Sequence, residues 1–124
     1  MDIKRPINLD ITTIKFPLAA IASILHRITG VILFVGTSVL LYLLQLSLTS
    51  EAGFASALEL SNRISVKLVI WALIVCIAYH LIAGLKHLLL DLGFGETKVA
   101  AENGAKILLS SLVFASVLAG VWIW

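Results

Sequence analysis

Three stretches of this chain, residues 28–50, 68–85 and 107–124, contain no Asp, Glu, Lys or Arg. Even the two shorter runs, at 18 residues each, would rise about 27 Å as helices, against a bilayer hydrocarbon core of about 30 Å. Composition agrees with that length. The chain is 60% hydrophobic with a mean hydropathy of +1.09. Its charged fraction is 13%, against roughly 25% in ordinary globular proteins. These features predict an all-α membrane protein, one transmembrane domain over 1–124 with three spans at about 22–48, 67–90 and 106–124.

The distribution of basic residues predicts the orientation. Lys4, Arg5, Lys15 and Arg27 precede or open the first span, and Lys86, Lys98 and Lys106 lie between the second and third. The loop between the first and second spans holds only Arg63 and Lys67. Seven against two places the N terminus and the second loop in the cytoplasm. Trp71, Trp122 and Trp124 then fall together at the outer interface, where aromatic belts form. Because the basic residues flank spans instead of forming a patch, the net charge of +2 does not point to nucleic acid. The segment before the first span carries Lys4, Arg5, Asp10 and Lys15 and does not resemble a secretory signal. The polar stretches are too short for a soluble catalytic domain. Cys76, the single cysteine, reads as a small apolar residue inside the second span.

Local signals refine the helices. Pro17, after Thr12 and Thr13, suits a first helical position, and a helix from there to Leu48 would be about 48 Å long, more than the membrane needs. Its excess, with Ser23, His26 and Arg27, belongs at the cytoplasmic interface. Gly30 allows a bend or a close helix contact there. Phe54 and Leu58, at i and i+4, suggest a short interfacial helix in the first loop.

Against this background His80 is conspicuous, an ionisable side chain inside an otherwise uncharged span. Such residues mark cofactors, ion pathways or partner contacts. Neutral imidazole is the commonest metal ligand and a frequent axial ligand to haem iron. A packing histidine bonded to a carbonyl is the alternative, and the residue alone leaves both open. Ala83 and Gly84, at i+3 and i+4, add little bulk on its face and would let a flat macrocycle or another backbone approach. His80 lies six residues before Lys86, about 9 Å along the helix, so it is buried yet near the surface reached by Lys86, His87 and Asp91. A cofactor held there could extend anionic groups toward His26 and Arg27, a geometry that suits haem and its propionates. His87 is about 10.5 Å from His80 along the axis, too far for both to ligate one iron from opposite faces. The third span has no histidine, and His26 reads as too close to the surface. If an iron there has two histidine ligands, a second membrane subunit is implied, making this chain part of a heteromeric helix bundle. Ser23 and Arg27 share a helix face and could bond a quinone carbonyl and stabilise charge on its reduction. A backbone-bonded serine and an arginine anchored on lipid phosphate are the alternatives.

Taken together, Arg5-Pro6-Ile7, Ser23-Ile24-Leu25-His26-Arg27-Ile28-Thr29-Gly30, and His80 with Gly84, His87, Asp91 and Gly93 resemble the cytochrome b subunits of succinate dehydrogenase, membrane anchors of respiratory complex II. The resemblance covers essentially the whole chain. Lys86 stands where arginine is usual, keeping the charge without the planar fork, and Leu90 where an aromatic or methionine is usual. The resemblance implies a b-type haem shared with a second small anchor subunit, with His80 as an axial ligand of its iron. It also implies His26 and Arg27 as propionate neighbours, and Ser23 with Arg27 as part of a ubiquinone pocket. Iron–sulfur and flavoprotein subunits would complete the enzyme in a bacterial inner membrane, and electrons would reach quinone at the cytoplasmic side. This chain would supply part of the pocket and no flavin chemistry. A haem-free structural anchor, in which His80 only packs, is the nearest rival. A small ion or proton transporter with a His80–His87 relay is another. A relay would need protonatable groups toward the outer half, where the second span offers only Cys76 and the third only Ser110, Ser111 and Ser116.

Overall fold

The computed structural model describes residue 10 and residues 12–124. The Arg5-Pro6-Ile7 part of the motif, with Lys4, therefore lies outside the described residues. Among those described there are four helices and no strand: α1 (Leu18–Thr49), α2 (Glu51–Asn62), α3 (Ile64–Asp91) and α4 (Lys98–Ile123). Three of them, α1, α3 and α4, are long and apolar enough to cross a membrane.

Helix boundaries follow local chemistry. Asp10 accepts from the Thr12 N–H at 3.0 Å and from its hydroxyl at 2.6 Å, closing a turn before α1. The same bonds hold the Asp10 carboxyl below its usual range. Pro17 proves to be the residue before α1, not its first residue. Its ψ of 152° is extended, while its carbonyl accepts from the N–H groups of Ala20 and Ile21. Ser50, also extended, separates α1 from α2 and caps α2 by accepting from the Gly53 N–H at 2.9 Å. The short helix suggested by Phe54 and Leu58 is thus present as α2, which packs chiefly on α1. At the end of α3, Gly93 has a φ of +85°, with Phe94 N–H bonded to Leu89 O and Gly93 N–H to Leu90 O. That pairing is a Schellman ending, which requires a left-handed residue and explains glycine there. Thr97 then caps α4 through the Ala100 N–H at 3.2 Å.

In the bundle α3 runs antiparallel to α1 and α4 and packs closely on both. The core lies toward one end, where Ala22, Ala83 and Ala105 bring the backbones together around Tyr79 and Leu108. Tyr79 is the one large side chain that is fully buried among the described residues. Its hydroxyl donates to the Ala22 carbonyl at 2.9 Å. Further along, Gly36 of α1 sits directly under the Leu73 side chain, so close that no Cβ would fit without moving it. At the opposite end the Trp71 indole donates to Ser116 O at 2.9 Å and Lys67 reaches Ile123 O at 3.4 Å. Trp71 therefore ties α3 to α4 through its N–H as well as standing near the helix end. Phe34, Leu81, Val121 and Trp122 are among many large apolar side chains exposed on the outer surface. That exposure suits lipid or partner helices and would be costly in water.

Candidate functional site

Where α1 crosses α3 the three histidines meet. Gly30 lets the helices approach, since a Cβ there would lie 3.0 Å from His80 Cε1. His80 Nδ1 lies 3.0 Å from the His26 carbonyl oxygen and 3.1 Å from Thr29 Oγ1. The His26 ring stacks on the His80 ring, with centroids 4.1 Å apart and planes 26° apart. On its other neighbour, His87, it lies 5.1 Å away at 35°. His26 Nε2 is buried without a hydrogen-bond partner. Gly84 makes room for it, a Cβ there falling 3.5 Å from that nitrogen.

A carbonyl oxygen can only accept, so the contact with His26 O requires the proton on His80 Nδ1. In the neutral ring His80 Nε2 then carries a free lone pair. The leucines 81, 85 and 88, Gly84 and the three histidines line an open groove of about 470 Å³, within the usual range for small-ligand sites. A groove of about 570 Å³ between α3 and α4, near Trp122, is lined by apolar side chains and offers no convergent polar groups.

The remaining residues singled out from sequence divide into two groups. Ser23, half-buried, and Arg27, exposed, lie at i and i+4 and continue along α1 to Gly30 at i+7, so they flank the histidine cluster. Neither side chain has a protein partner among the described residues. Lys86 is not part of this group. Its stem lies across Gly104 of α4, with Cε 2.7 Å from where a Cβ would be. Six residues from His80 amount to about 120° around a helix, which turns Lys86 to the α4 side. Ala83 also departs from expectation: it is fully buried in the three-helix core, so of the Ala83–Gly84 pair only Gly84 borders the groove. His26 is half-buried, its ring packed against those of His80 and His87.

Sequence reasoning assigned no role to Thr29. Apart from Tyr79 with its hydroxyl, it is the only buried side chain carrying a polar group among the described residues, and its own hydroxyl donates to His26 O at 2.9 Å. The available signal was its place beside Gly30, where a close helix crossing was expected.

Fold and site together define a polytopic helical membrane subunit with a histidine-lined groove near one end. The model of the succinate dehydrogenase/fumarate reductase transmembrane subunit family matches residues 1–121. Over the full length of both chains, this one is 40% identical to the succinate dehydrogenase cytochrome b556 subunit of Coxiella burnetii. It is 32% identical to that of Paracoccus denitrificans, over 92% of this chain and 88% of the other. It is 38% identical to the cytochrome b560 subunit of Reclinomonas americana, over 76% of this chain and 69% of the other. The chain belongs to the family of succinate dehydrogenase cytochrome b subunits, membrane anchors that work within a larger complex.

Proposed function

We propose that this chain is a haem b-binding anchor that helps pass electrons from an iron–sulfur subunit to ubiquinone at the cytoplasmic side of a bacterial inner membrane. One observation carries the reading: His80, a residue of the groove lining, has Nδ1 3.0 Å from the His26 carbonyl, an acceptor for an Nδ1 proton, so that Nε2 of the neutral ring is left free for a metal. Metal-ligating histidines characteristically donate their second ring N–H to a carbonyl or carboxylate, which fixes the tautomer and raises ligand basicity. Fit to a haem is supported by that bare nitrogen, the leucine-lined walls and the orphan His26 Nε2, a polar atom in want of a partner. His80 would hold the iron, and His26 with Arg27 would face the propionates. Bound there, haem would supply one-electron redox capacity.

The His26 ring is stacked on His80, so a second histidine for the iron would come from outside this pair. The second ligand belongs to a partner anchor subunit. The Ser23 hydroxyl would donate to a quinone carbonyl, and the Arg27 guanidinium would stabilise negative charge developing on that oxygen. Orientation rests on charge: Lys15, Arg27, Lys86, Lys98 and Lys106 cluster toward the histidine end, against Arg63 and Lys67 toward the other. Iron–sulfur and flavoprotein subunits would dock on the basic side.

The test is a dithionite-reduced spectrum of the complex purified after co-expression with its partner anchor. Wild type should show a low-spin b-type spectrum with little carbon monoxide reactivity. His80→Ala should open an iron position or lose the haem, whereas His87→Ala should stay six-coordinate with at most a shifted potential. An unaltered spectrum in His80→Ala would reject the assignment.

A further inference from the structure

Thr29 is buried in the membrane-spanning bundle at 8% exposure, where a hydroxyl needs a specific partner. It has two. Its proton goes to the His26 carbonyl at 2.9 Å, and its oxygen lies 3.1 Å from His80 Nδ1, which is itself 3.0 Å from the same carbonyl. Since the carbonyl can only accept, the Thr29 proton and the His80 Nδ1 proton both point at it. The remaining lone pairs of Thr29 Oγ1 then face the Nδ1–H as a second acceptor. A hydroxyl that donates to a carbonyl is polarised and accepts more strongly. Two acceptors also restrain the imidazole against twisting better than one.

We infer that Thr29 is a positioning residue for His80, whose hydroxyl strengthens the hold on the Nδ1 proton and makes Nε2 a stronger donor to the metal it binds. This rests on the reading of His80 as a haem ligand. Its consequence runs in one direction. More electron density on Nε2 favours the oxidised iron, so losing the hydroxyl should raise the reduction potential. Ligation itself should survive, because the His26 carbonyl still takes the Nδ1 proton. A fivefold to tenfold change in the relative affinity for the two oxidation states would be about 40–60 mV at 59 mV per tenfold for one electron.

Two pairs of variants isolate the oxygen atom. Thr29→Val replaces the hydroxyl with a methyl at nearly constant volume, and Thr29→Ser and Thr29→Ala differ from each other only by the hydroxyl. In the purified complex, potentiometric titration of the reduced haem band and low-temperature EPR of the oxidised form should group Thr29→Ser with wild type. Thr29→Val and Thr29→Ala should share a raised potential and altered g-values while remaining low-spin. The Ser and Ala pair keeps the test decisive should Val impair assembly. Equal potentials and g-values throughout would overturn the inference, as would Ser and Ala shifting alike, which would assign the effect to the methyl group. A His80→Ala control separates the failures. If it loses axial ligation while the Thr29 variants are silent, only the role of Thr29 falls; if it is silent too, both readings fall.

Discussion

His26 holds His80 twice, once through its backbone and once through its ring. The carbonyl accepts from Nδ1 at 3.0 Å, and the imidazole stacks at a centroid distance of 4.1 Å. One turn earlier on α1 the Ala22 carbonyl accepts from Tyr79, the residue immediately before His80. Two successive side chains of α3 thus dock on carbonyls four residues apart on α1, which fixes both the rotation of α3 and its register. The Ala22 carbonyl can serve an intrahelical bond as well, since it has two lone pairs, whereas the His26 carbonyl is shared between His80 and the Thr29 hydroxyl.

The Tyr79 contact should be measurable as stability. Tyr79→Phe keeps the ring and deletes one buried neutral hydrogen bond, with an expected cost of about 0.5–1.5 kcal/mol and membrane-protein values averaging about 0.6. Thermal unfolding of the detergent-purified complex should show a modest decrease, with the haem spectrum retained. A lost spectrum would mean that Tyr79 sets the histidine register more strongly than one bond suggests.

Two glycines should respond differently to a methyl group. Gly30→Ala would put Cβ 3.0 Å from His80 Cε1, tighter than ordinary contact, and should displace the ring and lower haem content per complex. Gly84→Ala would put Cβ at 3.5 Å from His26 Nε2, an ordinary contact, and should leave haem content near wild type. Pyridine haemochrome assay against protein concentration compares them, and the reverse order would contradict the packing described.

Arg27→Leu should impair quinone reduction much more than succinate oxidation with a soluble dye acceptor. The guanidinium is exposed and free of protein partners among the described residues, so its loss should not disturb the bundle. Equal loss of both activities would indicate failed assembly and remove the support for a pocket role.

Ser23→Ala tests the second half of that pocket. One neutral hydrogen bond corresponds to a 2- to 12-fold weakening of quinone or inhibitor binding, from about 0.5–1.5 kcal/mol. An unchanged KM for quinone together with unchanged inhibitor sensitivity would reject direct contact.

Topology is open to a direct check. In a Cys76→Ala background, Glu96→Cys in the α3–α4 loop should be shielded from an impermeant thiol reagent in intact cells, and Ser56→Cys on α2 should be labelled. Glu96 is preferable to Thr97, whose hydroxyl caps α4. Labelling at position 96 from outside would invert the proposed orientation.

Hydropathy and charge, both local properties, were enough to establish three apolar helices, the polar residues gathered at one end, and His80 as the anomalous side chain of the second span. Even the turn of Lys86 away from His80 was available from helical geometry, six residues being about 120°. What sequence could not supply was the partner of each face, because rotation and register between helices depend on contacts far apart in the chain. Only the packed bundle put Ala83 into the core and Gly84 under His26, brought the His26 ring between two others, and turned Thr29 from an ordinary helix residue into a neighbour of His80. The physical reason is that α1 and α3 come this close where Gly30 and Gly36 meet His80 and Leu73, and the directional Tyr79 bond to Ala22 holds that alignment, which apolar burial alone does not specify.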